Sequence, residues 1–376
     1  MIKKRVAVLM LAYADYEAME ISLATFSKSF KGGIKFFILQ NGRNTYDCER
    51  TYRVAKRYEI LFPNNVKVVD WIKPQLPYSA IKELLNSEFM AEFDYICKVD
   101  DDVFALREDW LDKLIKCYDQ SEEKFGEQLG YVTALVNNNP WGFNEVLDIF
   151  NLKEEYFNKY ARPHLAGYIL NPNDNIEPLK LISANEIYTG CCGTVWGNPY
   201  ISRWLHKKTS FNPQEFIQKT DALGYKEVDN KRRYSINVML FKKEFWNNID
   251  LNSNDDEHMT REYCRNNNKK IIADMSNPFV HICFFTQREE NRDLLVDFRK
   301  IYENWLNLPF PISMCPNKDY ENENRLRYLE DKYCKQLVLQ NNKKAKWKRY
   351  FNIKNSEDRK FKLVTLFGKI YKLKRK

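Results

Sequence analysis

The sequence predicts an α/β domain with a largely parallel sheet flanked by helices, and two observations carry that reading. Strand-like and helix-like stretches alternate through the first 104 residues, the order expected of parallel strands joined by helical crossovers. One of those strands is apolar and β-branched, and it runs into three consecutive carboxylates: Tyr95-Ile96-Cys97-Lys98-Val99-Asp100-Asp101-Asp102. Open α/β sheets bind ligands at the carboxyl ends of their strands.

Each element follows from local pattern. Arg5 to Tyr13 is a nearly continuous apolar run, as expected of a strand buried on both faces. A helical pattern runs through Met19, Ile21, Leu23 and Phe26, and Ile34 to Leu39 is a second strand ending in the turn signal Gln40-Asn41-Gly42. Helical spacing returns through Val54, Tyr58 and Leu61, a third strand covers Val66 to Asp70, and Tyr78 to Met90 is helical again. Beyond the acidic strand come a helix over Asp109 to Tyr118 and a strand over Gly130 to Val136. A long Asn-, Pro- and aromatic-rich insertion then reaches Ile182, and a glycine-punctuated strand runs from Ile187 to Trp196. Further strands are expected over Ser235 to Phe241, Lys270 to Asp274 and Pro278 to Phe285, with a helix through Met259, Tyr263 and Cys264.

Composition bounds the rest. A hydrophobic content of 44% with 15% aromatics is enough for a packed core and excludes a disordered chain. The apolar run near the start stops at Ala12, too short for a membrane span and without a small-residue cleavage site. Nine scattered cysteines, with no Cys-x-x-Cys pair, fit free buried thiols in a reducing cytoplasm. The net charge of +9 is uneven: residues 343–376 hold 14 Lys or Arg against two acids, +12, which leaves the remainder at −3. No glycine-rich phosphate loop follows the first strand, which argues against dinucleotide enzymes and phosphate-loop ATPases.

Two acidic clusters carry the candidate chemistry. Three adjacent carboxylates repel one another and are costly to desolvate unless a cation or donors compensate them. A hard divalent ion would, since it takes oxygen ligands and bridges carboxylates to phosphates. The plainer reading is an acidic turn capping the helix that begins near Glu108-Asp109. The second cluster, Asp255-Asp256-Glu257, directly precedes a helix, where acids also serve as caps. His281 stands among apolar residues, where a histidine is commonly a hydrogen-bonded core residue.

The order of these pieces resembles the GT-A class of nucleotide-sugar glycosyltransferases, particularly family 2-like bacterial enzymes. Lys98-Val99-Asp100-Asp101-Asp102-Val103-Phe104 is also similar to the acidic motif of inverting β-1,3-galactosyltransferase and Fringe-type enzymes. The resemblance spans roughly residues 5–290. It implies a GT-A, Rossmann-like mixed sheet over residues 1–300, with a nucleotide-binding half at 1–104 and an acceptor-binding half at 105–300. It further implies Mn²⁺ or Mg²⁺ held by Asp102 and His281, with Asp100 binding the metal through water or the donor ribose, beside Asp101. General-base catalysis falls to Asp256, with Asp255 and Glu257 as neighbouring alternatives, Asp255 standing where the family has Glu. Tyr13 matches a base-packing position, Asn41 a position where an Asp commonly reads uracil, and Lys82 a basic position near the nucleotide. Trp196 and Trp141, with Trp246, are candidate stacking surfaces for an acceptor sugar or core aromatics.

Two appendages complete the reading. Residues 301–340 suggest amphipathic helices, and 341–376 a basic amphipathic helix with apolar positions 363, 364, 367, 370 and 371 on one face. Such a helix suits an anionic membrane surface, with nucleic acid as the competing partner. The expectation is thus a metal-dependent, inverting transferase on the cytoplasmic face of the membrane. It would move a sugar from a nucleoside-diphosphate donor, UDP-sugar foremost, to a bacterial surface glycan or lipid-linked oligosaccharide. The rivals are a sugar-phosphate nucleotidyltransferase and a non-enzymatic membrane- or nucleic-acid-binding protein.

Overall fold

The computed structural model describes residues 5–71, 74–138, 140–159, 199–228, 236–249, 255–282, 292–308 and 312, together with the backbone of 351–355, 361–366 and 369–374. The strand expected over 187–196, with Trp196, lies outside the described residues, as does most of the insertion before it. The chain divides into two compact units, Met1–Ser313 and Met314–Lys376.

The larger unit is a Rossmann-like mixed α/β structure. In chain order its strands are β1 Val6–Ala12, β2 Lys35–Asn41, β3 Val66–Trp71, β4 Tyr95–Asp100, β5 Val103–Ala105, β6 Leu129–Val136, β7 Tyr225–Val228, β8 Val238–Lys242 and β9 Lys270–His281. Its helices are α1 Tyr16–Ser27, α2 Tyr46–Leu61, α3 Pro77–Leu85, α4 Trp110–Phe125, α5 Pro140–Ile149, α6 Lys153–Lys159, α7 Pro199–Lys208, α8 Pro213–Thr220, α9 Lys243–Asn247, α10 Asp256–Asn266 and α11 Arg292–Leu306. The nine strands form one sheet of order β3-β2-β1-β4-β8-β6-β9-β5, with β7 also pairing β9. Strands β1 to β4 are mutually parallel, β6 pairs parallel to β9, and β8, β5 and β7 run antiparallel to their neighbours.

Continuous apolar strands are buried on both faces because successive side chains point to opposite sides. Phe36 of β2 meets Phe26 of α1 at 5.3 Å between ring centroids, whereas its neighbour Phe37 meets Phe93 at 5.7 Å. Helix α4 extends this packing: Trp110 lies 5.1 Å from Phe26 and 5.7 Å from Phe279 of β9.

Three differences from the sequence reading matter. The two strands expected over 270–285 are one strand, β9, whose register against β6 jumps from Ala134↔Asp274 to Leu135↔Pro278. A bulge of this kind splits the apolar pattern while the backbone stays paired. The helix expected beyond residue 301 begins at Arg292, and its buried Leu294, Phe298, Tyr302 and Leu306 recur every four residues. Phe298 and Tyr302 both pack on Phe104 at 5.5 Å, so α11 buttresses β5 directly behind the acidic triplet.

The third difference is a correction. The basic amphipathic helix expected in the tail is not formed; Phe351–Asn355, Phe361–Leu366 and Lys369–Lys374 are strands of an antiparallel three-stranded sheet, here β10, β11 and β12. Leu366 pairs with Lys369, leaving only Phe367-Gly368 between the last two strands. Phe351, Ile353, Phe361, Val364, Thr365, Ile370 and Tyr371 are β-branched or aromatic and favour extended backbone. Spaced apolar residues had mimicked a helical face, and the amphipathic-helix argument for a membrane surface lapses with it. Among the described residues no helix is long and apolar enough to cross a membrane.

One glycine tests the packing between sheet and site. A Cβ at Gly142, in the first turn of α5, would overlap the carbonyl oxygen of Val136 at the end of β6. Gly142→Ala is expected to destabilise the protein by about 1–3 kcal/mol, as overpacking does, measured by urea unfolding.

Candidate active site

The parallel strands converge on the acidic triplet. Leu11 of β1 is in register with Asp100 at the end of β4, Asp101 and Asp102 form a turn, and β5 then pairs antiparallel with the end of β9. Val103 lies opposite His281, and the Ile282 N–H donates to the Asp102 carbonyl at 3.3 Å. This short hairpin-like return places residues 179 apart in sequence side by side: His281 Nε2 is 3.3 Å from Asp102 Oδ2, and both side chains are buried.

The three aspartates have three different environments. Asp100 accepts from Lys98 Nζ on Oδ1 at 2.5 Å and from Asn237 Nδ2 on Oδ2 at 2.8 Å. Asp101 accepts from the Tyr13 backbone N–H at 3.4 Å; burial, then the charges of Asp15, Asp102 and Asp100, push its pKa well above the usual carboxylate range. Asp102 faces the imidazole. Burial alone would lower the His281 pKa, but Asp102, with Asp100 and Glu257 contributing, raises it overall.

His281 is held from behind by two asparagines after β6. Its backbone N–H donates to Asn137 Oδ1 at 2.8 Å. Asn138 donates through Nδ2 to the His281 carbonyl at 2.7 Å and meets the ring Nδ1 with Oδ1 at 2.7 Å.

The second acidic cluster reaches the same place through Lys98. This lysine is only 3% exposed in the middle of an apolar strand and also donates to the Ile236 carbonyl at 2.9 Å. Burial works to lower its pKa, yet Asp100, Asp256 and Glu257 together raise it. Lys98 therefore acts on both clusters at once. Asp256 heads α10 and accepts from the Glu257 N–H at 3.1 Å. Burial raises the Asp256 pKa, with Asp100 and Asp255 adding to the rise and Lys98 opposing it. Asp255 caps the helix, its Oδ1 accepting from the His258 N–H at 3.0 Å.

The remaining expected residues divide. Tyr13 is 37% exposed; its backbone N–H meets Asp101, and its hydroxyl donates to Asn44 Oδ1 at 3.4 Å. Asn41 is buried and uses both ends of its amide on the Gln75 backbone, at 2.8 and 2.9 Å, ordering the loop before α3. Lys82 donates to the Asn247 carbonyl at 3.2 Å and lies over Tyr78, so it links α3 to α9. Trp141 packs partly buried against the core, and Trp246 is fully buried and stacked on Tyr78 at 5.1 Å. Sequence reasoning missed Lys98, Asn237, Asp15 and the Asn137-Asn138 pair. A lysine inside an apolar strand was the one available signal, because a buried ammonium requires a carboxylate partner.

Among the described residues, no group of three or more His, Cys, Asp or Glu side chains is arranged to hold a metal ion by itself. Asp102 and His281 are a pair of the right chemistry, one hard oxygen and one imidazole nitrogen. The carboxylate oxygen fits either Mn²⁺ or Mg²⁺ and the imidazole fits Mn²⁺ better than Mg²⁺, with the other positions left to phosphate oxygens and water.

No protein-family model matches the chain, and no curated protein matches it. Among solved structures, S. aureus TarS 1-349 is similar over 99% of both chains, at 10% identity and a TM-score of 0.36. That similarity is too slight to bear on fold or function.

Two outcomes follow from the electrostatics. Removing one member of a buried ion pair strands the other, so Lys98→Met should cost about 3–5 kcal/mol, and Lys98→Met/Asp100→Asn should recover part of that loss in urea unfolding. The His281 pKa is raised above its ordinary 6.5. The Asp102–His281 pair thus contributes fully below that pH and less as pH rises through the folded-state value. Stability measured in pH steps should decline over that interval in the wild type, and His281→Gln should flatten the decline.

Proposed function

We propose that this protein is a metal-dependent, inverting glycosyltransferase that uses a nucleoside-diphosphate sugar, with UDP-sugar the favoured donor. The observation that supports this reading is the convergence of two acidic clusters, 155 residues apart, on one buried lysine at the carboxyl ends of the strands. Asp102 and His281 would hold Mn²⁺ or Mg²⁺, which supplies charge neutralisation for the departing diphosphate.

The chain's own residues do the rest. Tyr13, exposed and tied to Asp101 through its backbone N–H, offers its ring to the nucleotide base. Lys98 and Asn237 hold Asp100 rigid, so the donor meets a preformed carboxylate. Asp256, its pKa raised by burial, accepts the acceptor hydroxyl proton while that oxygen attacks the anomeric carbon. The new glycosidic bond forms as the bond to the diphosphate breaks, and the nucleoside diphosphate leaves with the electron pair. Asp255 sets the helix start that carries Asp256, and Glu257 adds negative potential near Lys98 and His281. The acceptor in this reading is a hydroxyl of a surface glycan or lipid-linked oligosaccharide.

A thermal-shift screen of UDP, GDP, CMP and ADP, each with Mn²⁺ or with EDTA, tests the reading. UDP should stabilise the wild type only with metal, and Asp102→Ala should abolish the shift. Asp256→Asn should keep UDP binding while transfer falls by about 10²–10⁴-fold, the usual worth of a general base. A wild type indifferent to every nucleotide in the presence of Mn²⁺ would contradict it.

A further inference from the structure

We propose that Asn138, anchored beside Asn137, is a positioning residue that fixes the tautomer of His281 and thereby presets the Asp102–His281 pair for a divalent cation. The inference rests on the metal-dependent reading above, and it assigns a role to residues outside the two acidic clusters.

Donors and acceptors fix the orientation of each group around His281. A backbone carbonyl can only accept, so the Asn138 group 2.7 Å from the His281 carbonyl must be its Nδ2 amide. That fixes the orientation of the side chain and turns Oδ1, an acceptor only, toward His281 Nδ1 at 2.7 Å. Nδ1 must therefore carry the proton. Asn137 is oriented by the same logic: its Oδ1 receives the His281 backbone N–H, so its Nδ2 faces His206 Nδ1 at 3.3 Å and Ser210 Oγ at 3.2 Å. Asn137, Asn138 and His206 are all fully buried.

With the proton held on Nδ1, the neutral ring presents the Nε2 lone pair to Asp102 Oδ2 at 3.3 Å. Two lone pairs facing each other at that distance repel unless a cation lies between them. Histidines that bind metals commonly donate their second ring N–H to such a partner, and losing the partner costs about 10–100-fold in metal affinity.

The test uses the full chain and three proteins: wild type, Asn138→Leu and Asn138→Asp. Long-range ¹H–¹⁵N spectra of the histidine rings, without metal and above the pH at which His281 becomes neutral, read the tautomer directly. His281→Gln identifies its signals among the four histidines. The wild type should show Nδ1–H. Asn138→Asp should retain it, because one carboxyl oxygen still accepts from Nδ1 while the other, protonated, donates to the His281 carbonyl, and Asn138→Leu should shift the ring to Nε2–H. Mn²⁺ affinity in the presence of UDP, read by electron paramagnetic resonance, should fall about 10–100-fold in Asn138→Leu and far less in Asn138→Asp. Circular dichroism confirms that each variant is folded.

A wild-type neutral ring protonated at Nε2 would overturn the inference, as would a folded Asn138→Leu that binds Mn²⁺ as tightly as the wild type. Either result leaves the metal-dependent reading standing. A wild type that binds no Mn²⁺ with UDP would instead overturn that reading and, with it, the presetting for a metal.

Discussion

The site depends on one buried charge, the Lys98 ammonium. It sits 3% exposed inside β4, where desolvation would be prohibitive without partners, and Asp100 at 2.5 Å is the nearest. Its field extends to Asp256 and Glu257 at the head of α10. One lysine thus allows carboxylates from two distant segments to approach the same strand end. Without it the triplet and the second cluster would add their repulsion, and Asp256, already pushed upward by burial, would lose the positive charge that opposes the rise.

Geometry amplifies that single charge into a division of labour. Asp100 is held through one oxygen by Lys98 and through the other by Asn237, which fixes its orientation at the end of β4. Asp102, two residues on, is turned by the β4–β5 return toward His281, while Asp101 lies between Tyr13 and Asp15. Helix α11 completes the support, since Phe298 and Tyr302 close over Phe104 in the short strand that carries this turn. A triplet that reads in sequence as three equivalent acids is three distinct environments in the fold.

The sheet was largely legible because strands buried on both faces leave continuous apolar runs, as in Val6–Ala12 and Tyr95–Asp100. The single strand β9 was not, because its bulge interrupts the pattern at Met275-Ser276-Asn277. In the tail, spaced apolar and basic residues satisfy a helical count, and β-branched and aromatic content decided for strands. Asp102 and His281 were legible as residue types in an order, but their contact is a property of β5 pairing with β9. Asn138 left no local trace, since an asparagine in a run of three signals only a turn. Lys82 and Asn41 also make contacts that no local pattern announces, Lys82 joining α3 to α9 and Asn41 ordering the Gln75 loop.

In the proposed transferase, Asp102 and His281 together would hold a divalent cation against a nucleoside diphosphate. Anomalous diffraction at the manganese edge, from crystals soaked with Mn²⁺ and UDP, tests it most directly. One peak is expected within coordination distance of both Asp102 Oδ2 and His281 Nε2, beside the bound diphosphate. UDP bound with no peak there, or a peak held by other residues, would contradict it.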